Sequence, residues 1–599
     1  MKRWISSALS RPVFCLALVL IGYGLLLLPT VARQGLSWDE QTDLEIARSY
    51  RARPVGWLRG SGADPSQTRL PMAAVAAAYA LLGTDDLLAA RLLSCLVGAL
   101  TIVGVYVACR RDFGAHRRDF GDGSGLLAGA ILATSPFFLS FARTAFTETD
   151  IYVACAFVWL LVTVSHLRET PNLGWATVTA LILGLALSAK FTVVAIFPAV
   201  AYAVLTMPGD RQAEALSLHD LHNGAALLVA MAAAMGLGWV TLNDLPLADR
   251  PEPLLRLLFY LALLAWAAVL IWAARHRRRA APPALLLGFV LALALGTFMI
   301  LPPVHLTNPV ILTNLAGRFR HEMGWNPAFA GEAAALHLAS VVFKSSPLIG
   351  VGLLLGPILA ALEWRAKEAV RFPLLLVGCY FLGLILLPLA QTFYMIPLLP
   401  LLAILASDRL LALASHRRAV AGVVGIAAAL VLGVDLARCY PDFNLNGYQW
   451  LGARYIAGRS TIGYRSVVQT TSDGVQQAAE WLNAHARPGD RVVVYAYPWH
   501  IVEATSPNPD FRLVRGEWLS VRTIPDYVVV HINHTIRQRW AAWYTGTEVN
   551  APAQSVFWEP YDAAWLHTHF TKVMAVRRAF GIEMVSIWER NARLDPISP

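Results

Sequence analysis

The feature that most constrains this chain is the recurrence of apolar runs long enough to cross a lipid bilayer, which takes about twenty residues of helix. Such runs fall near 12–32, 86–109, 124–142, 145–165, 174–189, 191–207, 224–243, 254–274, 284–303, 346–363, 372–388, 391–406 and 419–436. Hydrocarbon offers no partner for a backbone amide, so each run must close its own hydrogen bonds as a helix. The chain is 57% hydrophobic and 15% charged, where a soluble protein carries about 25% charge. The fold class is therefore a polytopic α-helical membrane protein with about thirteen transmembrane helices.

The net charge of +10 does not call for nucleic acid. It lies in short basic clusters beside apolar runs: Arg110 and Arg111 with Arg117 and Arg118, Arg275 to Arg279, Arg365 to Arg371, and Arg409 with Arg417 and Arg418. With the N-terminus inside, these clusters fall on cytoplasmic loops in unbroken alternation, as the positive-inside rule requires. The outer face then receives the loops 33–85 and 304–345, the turn around Arg143, Glu148 and Asp150, the turn at Lys190, and the C-terminal tail. The Met1-Lys2-Arg3 start resembles a signal peptide, yet no small-residue cleavage pattern follows, so the run from about Pro12 to Ala32 reads as an uncleaved first span. The cysteines lie in or beside apolar segments without metal or disulfide spacing.

Residues 1–438 thus form a transmembrane domain and 439–599 an extracytoplasmic soluble α/β domain. Asp473 to Ala486 reads as a capped amphipathic helix. Arg491 to Tyr495, Asp526 to His531 and Ile582 to Trp588 read as strands. Asn533-His534-Thr535 is a weak sequon pattern.

Ionisable groups in or beside spans are expensive and invite a functional reading. Asp39 and Glu40 follow Trp38 at the start of a polar loop, where an ordinary solvated pair is the competing reading. Arg143, Glu148 and Asp150 share a tight turn, where Arg143–Glu148 reads equally as a structural ion pair. Lys190 and Lys344 could snorkel to headgroups. By topology all converge on one membrane face, which suits a site for a lipid-linked anion. A secondary transporter or flippase would place such charges at mid-bilayer on broken helices, and the short Lys190 segment keeps that alternative open. His305, His321 and His337 share this face with the carboxylates, so a divalent metal is compatible with it, but their spacing is no ligand signature; a metal site stays unassigned and no cofactor is called for.

Several short motifs occur in order along almost the whole chain: Trp38-Asp39-Glu40; Arg91 to Ser94 with Arg110 to Gly114; Ser135-Pro136 through Arg143 to Thr147-Glu148; Gly184 to Lys190; Phe343-Lys344 to Pro347; Tyr394 to Pro397 and Pro400; and Ala478 to Asn483. This layout resembles the multi-span, lipid-carrier-dependent glycosyltransferases of the protein O-mannosyltransferase and aminoarabinose-transferase type, especially the bacterial members of glycosyltransferase family 39. It departs from them at Arg69-Leu70-Pro71-Met72, where many relatives keep a histidine motif, and at Phe393, where many keep an arginine.

The resemblance implies a C-type glycosyltransferase architecture in the cytoplasmic (inner) membrane, with the active site on the outer face. It implies transfer of a monosaccharide from a polyprenyl-phosphate carrier to a hydroxyl of a protein, lipid or glycan, with inversion. Asp39 is the expected base, because a carboxylate within reach can take the hydroxyl's proton, and Glu40 orients it or binds the acceptor. Lys190, Lys344 and Arg143 are the expected partners of the donor phosphate. Glu148 and Asp150 would serve the sugar or acceptor.

Overall fold

The computed structural model describes residues 11–32, 38–52, 70–112, 118–145, 149–207, 216–242, 252–301, 330–386, 392–416, 418–440, 443, 474–495, 512–515, 525–531, 563–577 and 583–591. Each apolar run of the sequence carries helix. The helices are α1 (Arg11–Val31), α2 (Trp38–Ala52), α3 (Leu70–Leu82), α4 (Leu87–Asp112), α5 (Arg118–Thr134), α6 (Pro136–Ala142), α7 (Asp150–Glu169), α8 (Leu173–Ala189) and α9 (Phe197–Leu205). They continue as α10 (Leu218–Leu242), α11 (Glu252–Arg275), α12 (Pro283–Ile300), α13 (Ala330–Lys344), α14 (Pro347–Leu362), α15 (Arg371–Leu386), α16 (Leu399–His416) and α17 (Arg418–Cys439). Two tight 3₁₀ segments, Phe191–Ile196 and Thr392–Leu398, lead into α9 and α16.

Among the described residues eight helices are long and apolar enough to span a membrane, or nine if α5 and α6 count as one bent span. The difference from about thirteen is mostly one of length, since α8, the Phe191–Leu205 stretch and α14 are apolar but short. The run 124–142, read as one helix, is two helices bent by 68°. Ser135 caps the second through its hydroxyl and Pro136 opens it. Proline at the first helical position has no amide to satisfy there, whereas inside a helix it would break the ladder.

The segments 33–85 and 304–345, read as loops, contain α2, α3 and α13. In α3 the buried Met72, Val75, Ala76 and Tyr79 recur at helical spacing and share one apolar core with Leu44, Ala47 and Tyr50 of α2. In α13, Ala333, Leu336, His337, Ser340, Val341 and Lys344 form a buried stripe. α2 is amphipathic, and the charges on its other face lower its mean hydropathy below what a span shows, whereas α3 and α13 are apolar but shorter than a span. Elsewhere small residues set how near helices approach: a Cβ at Gly184 of α8 would lie 2.6 Å from the Ala294 carbonyl oxygen of α12. Without a strong hydrophobic drive between helices in lipid, such close backbone contact supplies the packing.

The bundle has two unlike ends. At one, where α4 and α7 finish, ion pairs Arg111–Glu169, Arg168–Glu368 and Arg409–Glu363 each leave the acid at least partly exposed. Arg110, Arg277, Arg279, Arg365 and Arg371 lie at that end as well. At the other, where α1 and α8 finish and α4 and α7 begin, Glu40, Arg91, Arg143, Asp150, Lys190 and Lys344 are buried.

The C-terminal unit holds α18 (Val475–His485), β1 (Arg491–Tyr495), β2 (Arg512–Arg515), β3 (Tyr527–His531), α19 (Ala563–His569), β4 (Phe570–Arg577) and β5 (Glu583–Arg590). The strand order is β2-β1-β3-β5-β4. β1 pairs in parallel with β2 and β3, while β5 pairs antiparallel with β3 and β4. Val492, Val494, Tyr527 and Val529 pack under α18, and Val493, Val528 and Trp588 pack on the opposite face with Leu566 and Phe570. Both faces are covered, which is why β1 and β3 read as unbroken apolar runs. The helix and three strands read from the sequence are present; β2, β4 and α19 are additional.

Candidate active site

Glu40 and Arg91 form a fully buried ion pair at the end of the bundle where α1 and α8 finish. Glu40 is the third residue of α2, whose first turn is acidic, and a helix N-terminus favours such charge. Its carboxylate is wholly enclosed and accepts from Arg91 through Nε to Oε1 and Nη2 to Oε2, both at 2.9 Å. Arg91, at the start of α4, also donates through Nη1 to the Val31 carbonyl at 2.7 Å, and Glu40 Oε1 accepts the Ala145 amide at 2.7 Å. One two-pronged pair thereby joins the end of α1, the start of α2, the start of α4 and the turn after α6. The planar fork of arginine meets a carboxylate with two parallel bonds, which fixes direction as well as distance. The sequence marks Arg91 only as a motif residue; its pairing with Glu40 spans fifty-one residues and had no local signal.

Asp39 lies beside Glu40 in the first turn of α2, but its side chain is outside the described residues. Glu148, His305, His321 and Asn533 also lie outside them.

Lys190 and Asp150, given separate roles by the sequence reading, are brought together. Lys190 Nζ donates to Asp150 Oδ2 at 2.7 Å, with both side chains buried. Lys190 follows the last residue of α8 and Asp150 is the first of α7. The negative end of one helix thus meets the cation and the positive end of the other meets the carboxylate. Thr149 ties the same two ends through a 2.9 Å bond from its hydroxyl to the Ala189 carbonyl. It holds φ at 56°, a left-handed backbone uncommon for a non-glycine residue.

Lys344, the last residue of α13, donates to the Thr392 hydroxyl at 3.0 Å. Its Nζ lies 5.6 Å from the Phe137 ring centre, while Lys190 Nζ lies 4.0 Å from Tyr394 and 5.1 Å from Phe393. The short segment Thr392–Leu398 therefore meets both lysines, one through its hydroxyl and the other through its rings. Arg143, buried at the end of α6, stands 5.3 Å from the Phe443 ring centre. Phe141 and Phe393, 6.2 Å apart, connect these groups. Three buried cations thus stand against aromatic rings, and burial strengthens the field of each charge. Phe137, Phe141, Thr392, Phe393, Tyr394 and Phe443 are the residues around these cations to which sequence reasoning gave no role; the Tyr394 to Pro400 motif was the available signal for Tyr394.

Beyond Lys344 the chain turns sharply. Ser346 adopts φ 74° and ψ 130° before Pro347 opens α14, a sparsely populated backbone that costs about 1–3 kcal/mol. Its hydroxyl donates to Asp435 Oδ2 of α17 at 2.6 Å, and both groups are buried. His337 is enclosed against the Phe381 ring. Among the described residues no three His, Cys, Asp or Glu side chains come together to hold a metal.

Residues 69–239 match the family model described as dolichyl-phosphate-mannose-protein mannosyltransferase. The matched segment contains Arg91, Arg143, Asp150 and Lys190. No curated protein matches the sequence. Among solved structures, the oligosaccharyltransferase of Archaeoglobus fulgidus in complex with zinc and sulfate is 11% identical with a TM-score of 0.40, over 89% of this chain and 70% of that one. The same archaeal enzyme in complex with an inhibitory peptide and a dolichol-phosphate is 11% identical at TM-score 0.41, over 98% of this chain and 75% of that one. Tethered to an acceptor peptide, it is 12% identical at TM-score 0.43, over 97% and 74%.

Proposed function

We propose, for a chain whose residues 69–239 mark it as a membrane glycosyltransferase of the protein mannosyltransferase kind, that it moves a monosaccharide from a polyprenyl-phosphate carrier to an acceptor hydroxyl. The observation that carries this reading is the approach of Lys190 and Lys344, both buried, to the one segment Thr392–Leu398. The basic opposite end, read by the positive-inside rule, supports a reaction on the outer face of the cytoplasmic membrane.

In this reaction Asp39 takes the proton of the acceptor hydroxyl. The oxygen attacks the anomeric carbon on the face away from the phosphate, the bond from that carbon to the phosphate oxygen breaks, and the configuration inverts. Negative charge grows on the departing polyprenyl phosphate, where Lys190, Lys344 and Arg143 stabilise it. Asp150 holds the Lys190 ammonium in place and Glu148 is left for the sugar or acceptor. Glu40, enclosed by Arg91 and the Ala145 amide, orients Asp39 by fixing the first turn of α2. The C-terminal unit selects the acceptor.

The test uses protein in lipid nanodiscs with a panel of radiolabelled polyprenyl-phosphate sugars, following release of polyprenyl phosphate. One donor is turned over by the wild type, and Asp39→Asn binds it but turns over at least a hundredfold more slowly, within the range general-base catalysis contributes, about 10²–10⁴. Full activity of Asp39→Asn would move the base elsewhere. No turnover with any donor, together with lipid-linked sugar crossing the bilayer of sealed proteoliposomes holding the same protein, would favour a flippase.

A further inference from the structure

We infer that Asp435, on the last described helix before the C-terminal unit, is a positioning residue for the Lys344 step, acting through Ser346. The inference rests on the reading of Lys344 as a donor-phosphate group. Asp435 stands in α17 amid Val431, Leu432, Gly433, Val434 and Leu436, yet it is only 1% exposed. A carboxylate so placed in an apolar span is costly unless it has a function or a fixed partner. Its partner is the Ser346 hydroxyl at 2.6 Å. That serine is the residue whose positive φ turns the chain from α13 into α14.

The step has no slack. α14 folds back on α13 so closely that a Cβ at Gly350 would lie 2.5 Å from the Val341 carbonyl oxygen. The Gly350 amide closes the first turn of α14 onto the Ser346 carbonyl at 2.7 Å. Lys344 is two residues before the strained position, and its ammonium reaches Thr392 only if the turn keeps its shape. A strained backbone persists where surrounding bonds over-determine it. The Asp435 bond reaches the turn from another helix. A second contact from the same end of the chain points the same way: Phe443, just past α17, lies over the Arg143 guanidinium. The exit of the last span therefore supplies a neighbour to one of the three cations, and a shift of α17 would be felt first at Lys344 and Arg143.

The turn supplies its own control. Glycine adopts positive φ without penalty, so Ser346→Gly should keep the step while making it independent of the carboxylate. The experiment measures binding of polyprenyl phosphate to nanodisc-held wild type, Asp435→Ala, Ser346→Gly, Lys344→Ala and their double variants, with thermal unfolding of each. Asp435→Ala should weaken binding at least tenfold, by less than threefold in the Ser346→Gly background, and not further in the Lys344→Ala background. Equal losses in all three backgrounds, or unchanged binding with a lowered melting temperature, would overturn the inference. If the wild type bound no polyprenyl phosphate the lipid reading would fail separately. The unfolding cycle would still decide the turn: coupling between Ser346 and Asp435 supports it, and additivity overturns it.

Discussion

Replacing Arg91 with methionine tests the central pair directly. The substitution removes both bonds to Glu40 and the bond to the Val31 carbonyl, and it leaves a carboxylate with 0% exposure facing an apolar side chain. Two routes give the magnitude. Removing one partner of a buried ion pair costs about 3–5 kcal/mol. The two charge-assisted hydrogen bonds to Glu40 alone, at about 1.5–3 kcal/mol each, give about 3–6 kcal/mol. Equilibrium unfolding by SDS in dodecylmaltoside micelles would read the loss. Arg91→Lys keeps the charge without the two-pronged geometry and should fall between. The informative variant is Arg91→Met with Glu40→Gln, which removes the uncompensated charge while an amide oxygen still accepts from Ala145. It should recover most of the stability, because a buried pair replaced by uncharged groups is close to neutral. Transfer activity should stay low in the double variant, since α2 is no longer tied to α1 and α4. A cost below about 1 kcal/mol for Arg91→Met, within the range of an exposed pair, would refute the reasoning, as would a double variant no more stable than the single one.

The Lys190–Asp150 pair should also resist reversal. The double variant Lys190→Asp with Asp150→Lys places each charge at the unfavourable end of its helix dipole, so stability should stay about 1 kcal/mol or more below wild type and donor binding should be lost. Unfolding and binding assays on the same samples would check it, and wild-type binding would count against a role for Lys190 at the phosphate. On α14, Gly350→Ala drives a Cβ into backbone, whereas Gly352→Ala meets nothing within 4 Å among the described residues. The first should cost about 1–3 kcal/mol, and the second should be neutral or stabilising by up to about 1 kcal/mol; both are read by unfolding.

What the sequence made legible was whatever one segment decides alone. Apolar runs had to be helices because lipid leaves the backbone no alternative. The run 124–142 was read as one helix, although Ser135-Pro136 held a local signal for the break between α5 and α6, a cap and a first-position proline. α2 was passed over as loop because hydropathy averages its two faces, and α3 and α13 because they are shorter than a span, although the stripe from Ala333 to Lys344 was there to find. Pairings were harder. Lys190 and Asp150 stood out singly, yet joining them required treating α7 and α8 as a hairpin about Thr170 to Asn172, which sets the two residues level. Glu40 with Arg91, and Ser346 with Asp435, depend on which helices become neighbours, and no single segment holds that information.

The contrast between the two ends of the bundle also sets how the molecule answers to dissolved ions. At ionic strengths of about 0.15 M exposed charges are screened beyond about 8 Å, and buried pairs are screened far less. Glu169 and Glu368 sit at the water-facing side of their bridges, with side chains 64% and 61% exposed, while Glu40 and Asp150 are at 0%. Raising salt should therefore slacken the ties among α4, α7 and the turn before α15 while the opposite end holds its shape. Helices clamped at one extremity and loosened at the other pivot about the clamp, so the greatest excursions would occur where the arginine clusters meet the headgroups.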